Sequence, residues 1–268
     1  MIRRLDPLTQ RLLARSAPHG PLVLMYHSVV PGQGAPAWRW AVSMRRFIEQ
    51  LDLLQAQGWT TANLTELLPS RTLPDKTVVI TFDDGYADNY AAFEELAKRG
   101  MRATWFMVTR DIGQKSGWAD EVPPQPMLSA EQLRIMHAAG MEIGSHTVSH
   151  CRLLKANAAT VTEELVRSRQ QLEQILSQPV TSFAYPYGQF DDAAVTAARE
   201  AGYQTACTTR PGWALRDGHP LRIRRISIFA GDTLSTVARK LVFADNDVSW
   251  RQLAAYYAGR LAHRLRLS

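Results

Sequence analysis

Seven short apolar runs punctuate the chain, near 22–28, 77–82, 103–108, 141–145, 181–185, 204–208 and 223–228. Each is brief, rich in β-branched or aromatic residues and bounded by polar or glycine positions, the pattern of a buried strand. Between most of them the period lengthens to that of a helix. From Met44 to Gln57, Phe47, Leu51 and Leu54 fall on one side, with Ser43 as the expected cap. Tyr90 to Lys98 ends at Gly100, and Ala159 to Gln178 carries Val161, Leu165, Leu172 and Ile175 as its apolar side. Strands alternating with helices predict an α/β fold. Seven βα-like units predict a distorted or incomplete (β/α) barrel of about seven parallel strands. A chain of 268 residues fits one such domain or two small ones, and no repeat, low-complexity run or linker divides it. The expectation is a single domain over 1–268.

Thr77-Val78-Val79-Ile80 runs into Thr81-Phe82-Asp83-Asp84-Gly85-Tyr86. Two carboxylates therefore stand where a strand ends and a glycine turn begins. Adjacent strand residues point to opposite faces, so the pair can divide two tasks, metal ligation and proton transfer. Alone, an Asp-Asp-Gly reads equally well as a solvated turn. Further on, Met141-Glu142-Ile143-Gly144-Ser145 leads into His146-Thr147-Val148-Ser149-His150. If one helical turn forms there, both imidazoles share a side. Two histidines and one aspartate leave a fourth position of a divalent metal open, as in catalytic sites. Alone, such a spacing is more often two unrelated loop histidines. The metalloprotease pattern HExxH is excluded, because position 147 is Thr.

Taken in order, Thr81-Phe82-Asp83-Asp84-Gly85, His146-Thr147-Val148-Ser149-His150 and Phe183-Ala184-Tyr185-Pro186-Tyr187-Gly188 resemble the polysaccharide deacetylase family, also called carbohydrate esterase family 4 or the NodB-homology family. The resemblance spans roughly Leu22 to Ile228. It implies a hydrolase that removes N-acetyl groups from an amino sugar in a glycan, with Asp83 as general base and Asp84, His146 and His150 as metal ligands. A zinc ion is the first expectation, although the donor set also suits cobalt, nickel or iron. O-deacetylation, another C–N bond or a non-catalytic glycan-binding scaffold are the alternatives.

Two departures from the family pattern matter. Its third motif usually carries an arginine that orients the base, and Ala184 stands there. In Leu221-Arg222-Ile223-Arg224-Arg225-Ile226, alternation sends Arg224 and Arg225 to opposite faces. Arg225 is the expected substitute, by resemblance to branches with the same third motif; a solvated basic edge strand is the other reading. The usual late histidine that acts as general acid is also absent. The first strand, Leu22-Val23-Leu24-Met25-Tyr26-His27, instead resembles a circularly permuted branch that includes poly-N-acetylglucosamine deacetylases. That resemblance implies His27 as the acid, protonated when it meets the leaving amine. It also implies a backbone N–H near Tyr187 as an oxyanion donor. Among the tryptophans of predicted loops, Trp38, Trp40, Trp118 and Trp213, the last is the expected sugar-stacking residue.

Composition adds less. The net charge is +6, and from Arg210 onward eleven Lys/Arg face four Asp/Glu. Segments 1–15 and 249–268 have basic amphipathic character. They read as surface helices packed on the domain, or as peripheral contacts with an anionic membrane surface. No motif or dense basic run points to nucleic acid. Neither a signal-peptide pattern nor a spanning apolar run is present, and two cysteines make no disulfide framework. The expected location is the cytoplasm, with contact at the inner membrane face as its variant. The segment Glu121 to Pro126 is expected to be a loop near the active face.

Overall fold

The computed structural model describes residues 5–68, 72–118, 123–249 and position 254. In chain order its elements are α1 (Pro7–Arg15), β1 (Leu22–Tyr26), β2 (Ser28–Val30), β3 (Ala41–Ser43), α2 (Met44–Ala56), β4 (Thr60–Ala62) and β5 (Thr77–Phe82). Then follow α3 (Asn89–Lys98), β6 (Thr104–Met107), α4 (Ala130–Ala138), β7 (Glu142–Ser145), α5 (Ala158–Leu176) and β8 (Ser182–Ala184). α6 (Asp192–Glu200), β9 (Thr205–Cys207), β10 (Ile226–Ser227) and α7 (Leu234–Phe243) complete the order. All seven expected strands form, and each is parallel to its neighbours along the path β10-β1-β5-β6-β7-β8-β9. The sheet curls so that β9 nears the segment leading into β10, touching it at one isolated bridge between Cys207 and Ile223. This α/β fold is a distorted (β/α) barrel, seven strands curled as a half-barrel.

Burial on both faces explains why the strands read as continuous apolar runs. Val23 and Val79 point into the barrel with Phe106, Ala184, Cys207 and Ile223. Leu22, Leu24, Tyr26, Val78, Ile80 and Phe82 point outward into the layer shared with the helices. There Phe82 stacks on Trp105, with centroids 4.6 Å apart. Each such apolar side chain contributes about 1.5–3 kcal/mol when fully buried.

Three strands lie outside the sequence expectation, as does α7 beyond the last expected strand. β2, β3 and β4 are three residues each, too short for alternation to register. β4 pairs with the first half of β5, and β6 takes up the second half. Ser43 does precede α2, but it belongs to β3 and its hydroxyl makes no cap bond.

In the first terminal segment, α1 packs on the domain. Asp6 caps α1 through the Thr9 amide, Leu12 is buried, and Arg239 of α7 reaches Asp6 at 3.1 Å. Of the second, 249–268, only positions 249 and 254 lie within the described residues. Among the described residues no helix is long and apolar enough to cross a membrane.

Candidate active site

In parallel barrels the C-terminal strand ends share one face, where loops can converge. Here that face holds a cavity of about 360 Å³ lined by His27, Asp83, Asp84, His146, His150 and Tyr187, with Trp38, Trp40, Tyr86, Trp118 and Arg152 around it. His27 follows β1, Asp83 follows β5, His146 follows β7, and Tyr187 lies just beyond β8.

Strand parity aims Asp83 inward, on the same side as Val79 and Thr81 of β5. It would send Asp84 the other way. A left-handed backbone at Asp84, φ 70°, turns that carboxylate back into the same cavity. Thr147, His150 and Tyr187 are also left-handed, at φ 68°, 59° and 58°. The two remaining non-glycine residues of this kind among the described residues, Ser177 and Ala244, are helix C-caps. Backbone strain is thus concentrated at this face, as it is at functional sites. Gly85, φ 90°, answers a packing need: a Cβ there would stand 2.3 Å from the Met107 side chain.

No helical turn joins the two histidines. His146 continues from β7, and a tight turn through 147–149 brings His150 back. Glu164 of α5 holds that turn, accepting from the Val148 and Ser149 amides at 2.8 and 3.0 Å and from the Ser149 hydroxyl at 2.6 Å. Nothing in the sequence marks Glu164, which reads as an ordinary polar position of a long helix. Partners that orient ligands typically affect metal affinity 10- to 100-fold. Glu164→Ala is accordingly expected to weaken divalent-metal binding by about that factor, measured by metal titration of chelator-treated protein. Unchanged affinity would remove the turn from the account.

The Asp84, His146 and His150 donor atoms lie within 4.8 Å of one another. Asp84 Oδ1 is buried, without a hydrogen-bond donor, and faces His146 Nε2 at 3.6 Å and His150 Nε2 at 3.4 Å. His146 Nδ1 is 2.7 Å from the Ala184 carbonyl, which can only accept. That contact leaves a lone pair on Nε2 pointing toward a carboxylate oxygen, a repulsive pairing unless a cation stands between them. Donors about 2.0–2.1 Å from a tetrahedral ion are roughly 3.3 Å apart, close to these separations. The donor set therefore fits a divalent metal. Burial and then the Asp83 charge push Asp84 up to about 8. Burial likewise holds His146 and His150 below the usual imidazole range. A bound cation would favour the ionised form of Asp84 and keep both imidazoles neutral.

Arg225 stands where the absent third-motif arginine would be needed. Leu24 is level with both Ile226 and Ile80, so Arg225 enters below Asp83 and its side chain rises through the barrel. It is fully buried and donates to both Asp83 oxygens, at 2.6 and 2.7 Å. The Thr208 carbonyl and Thr81 hydroxyl take two more of its bonds. Burial works to raise the Asp83 carboxyl, but the guanidinium outweighs it and holds it at about 2. Arg224 turns outward to Asp217.

His27 packs on Trp40, ring centroids 4.5 Å apart, and its Nδ1 is buried without a hydrogen-bond partner. Burial lowers it to about 4, against the opposing pull of Asp83. Trp40 in turn meets Phe229, with the Arg39 guanidinium 4.8 Å from each ring. Tyr187 packs on His150 at 4.4 Å. Trp213 is elsewhere: it meets His19 edge-on, and its neighbour Ala214 bonds Pro21 just before β1, at the opposite rim of the barrel. The cavity instead receives Trp38 and Trp40 from the segment joining β2 to β3. Trp118 comes from the loop before α4, whose residues 119–122 lie outside the described ones.

Comparison with known proteins gives a consistent grouping. A family profile described as polysaccharide deacetylase matches residues 70–206, which include Asp83, Asp84, His146, His150 and Tyr187 but neither His27 nor Arg225. YxkH of Bacillus subtilis, named within the polysaccharide deacetylases, is 32% identical over 214 residues, 78% of this chain and 71% of that protein. A poly-beta-1,6-N-acetyl-D-glucosamine N-deacetylase of Staphylococcus aureus is 27% identical over 61% of this chain, and the match spans 59% of that protein. Among solved structures, IcaB from Ammonifex degensii has a TM-score of 0.72 at 30% identity, over 83% of this chain and 97% of that one. The deacetylase PplD of Streptococcus pyogenes, solved with acetate, has a TM-score of 0.72 at 25% identity, over 84% and 99%. With 137 residues matched by the family profile and barrel, motifs and relatives in agreement, this chain belongs to the polysaccharide deacetylase family.

Proposed function

We propose that this protein removes N-acetyl groups from an N-acetylated amino sugar in a glycan, with a divalent metal held by Asp84, His146 and His150. The carrying observation is the juxtaposition in one cavity of a carboxylate clamped by a buried arginine and a separate Asp-His-His donor set. The metal, when bound, supplies a Lewis acid that activates water and polarises the acyl carbonyl. Zinc is our first assignment, and cobalt, nickel or iron suit the same donors.

Asp83 serves as general base, taking a proton from the attacking water. Arg225 keeps its carboxylate ionised and fixed in plane, with a bidentate grip. A backbone N–H near Tyr187 would face the developing oxyanion. An amine leaves poorly unless protonated, so a separate acid is required. His27 takes that role on the same cavity wall. Burial holds the ring below the usual imidazole range, so it must take up a proton before it meets the leaving amine. The half-buried rings of Trp38, Trp40 and Trp118 offer apolar surface to the C–H faces of sugar rings.

The test is acetate release from N-acetylglucosamine oligomers by chelator-treated protein before and after zinc or cobalt is restored. Activity is expected only with metal. Release from aryl acetates but from no N-acetylated oligomer would favour the O-deacetylase reading. Metal binding without release from either would sink the hydrolase assignment.

A further inference from the structure

The charges around the cavity do not balance. Asp83 is answered by Arg225 through two hydrogen bonds. Asp84 neutralises only half of a divalent ion placed among its donors. Arg152 then adds a second positive charge to the wall. Its guanidinium lies 3.5 Å above the Tyr187 ring, and among the described residues it has neither a hydrogen bond nor an ion pair. That contact leaves the N–H donors without a protein acceptor among the described residues, and an arginine fork can take a carboxylate or phosphate in two parallel bonds. Tyr187 also packs on His150, so this fork is one ring away from the metal donors.

A glycan of neutral N-acetylated sugars offers that fork hydroxyl and carbonyl oxygens but no opposite charge. We infer that the substrate carries an anionic substituent, a carboxylate or a phosphate, close to the acetamido group that is cleaved, and that Arg152 binds it. The inference rests on the deacetylase reading above and narrows it from amino-sugar glycans to acidic ones. Arg152 is a specificity-determining residue in this account; the hydrolytic step does not use it.

Three sugars test it by acetate release: a neutral N-acetylglucosamine oligomer, an oligomer containing N-acetylmuramic acid, whose lactyl group carries a carboxylate, and a phosphate-bearing N-acetylglucosamine oligomer. At least one acidic sugar is expected to exceed the neutral one by about ten- to a hundredfold in kcat/KM, the range of a charge-assisted bidentate contact. Arg152→Gln should erase that preference through KM and leave turnover of the neutral oligomer as it was. Arg152→Lys should keep part of it, as a charge without the fork. Whichever acidic sugar leads tells carboxylate from phosphate. Equal rates on all three sugars would overturn the inference and leave the deacetylase reading standing. So would an Arg152→Gln variant that loses kcat equally on every sugar, the mark of a structural clamp on Tyr187. If no sugar releases acetate, the deacetylase reading fails instead. Calorimetric binding of the same sugars to wild type and Arg152→Gln then decides the anion preference by itself: a charge preference lost in the variant supports it, and equal binding overturns it.

Discussion

Asp83→Asn is expected to lower acetate release by about 10²- to 10⁴-fold, the range associated with a general base. Asparagine keeps the shape and one acceptor oxygen toward Arg225 but cannot take a proton from water. The metal donors Asp84, His146 and His150 are untouched, so metal content should stay at the wild-type level. The aromatic walls are also unchanged, so KM should move little while kcat falls. Parallel measurements of kcat, KM and bound metal separate the possibilities. Wild-type turnover would remove Asp83 from the chemistry. Loss of metal together with activity would recast it as a ligand.

Arg225→Met should lower stability as well as activity, because it breaks the buried pair with Asp83. It leaves the Asp83 carboxylate, 3% exposed as a residue, buried without its counter-ion. Removing one member of a buried pair typically costs about 3–5 kcal/mol, because the surviving charge is left uncompensated. At about 2–4 °C per kcal/mol for a domain of this size, the melting temperature should fall by roughly 6–20 °C. Activity should be lost as well, since a buried lone carboxyl takes up a proton and can no longer act as a base. The double variant Asp83→Asn, Arg225→Met should melt higher than Arg225→Met alone while staying inactive, because no uncompensated charge remains. If Arg225→Met melts like the wild type, the pair contributes no stability. If the double variant melts no higher, the loss came from packing of the long arginine side chain.

The barrel strands were legible because each is buried on both faces. Leu22–Tyr26 and Thr77–Phe82 read as apolar runs whatever lies around them. The helices were legible for a related reason, since α2 and α5 bury one stripe each. β2, β3 and β4 were not, because three residues carry too little pattern. Arg225 was reachable from strand parity, which separates it from Arg224, together with resemblance to branches that lack the usual arginine. The helical turn considered for His146 and His150 did not form, because left-handed residues at 147 and 150 reverse the chain instead. Trp213 and the trio Trp38, Trp40 and Trp118 all read as loop tryptophans. Sequence position cannot tell which rim of a barrel a loop occupies, and the structure puts Trp213 on the far one.

The sequence by itself determined the alternation of strands and helices and the order of the chemistry-bearing motifs. Burial periodicity and side-chain type are local properties, written into short stretches of chain. Tertiary structure alone decided which groups meet. It turned Asp84 back beside Asp83, set Glu164 beneath the histidine turn from another element, and brought Arg225 in from the segment just before β10. It also set Arg152 over the Tyr187 ring on the cavity wall. Those outcomes depend on backbone reversals and on contacts between residues far apart in sequence, and no local pattern encodes either.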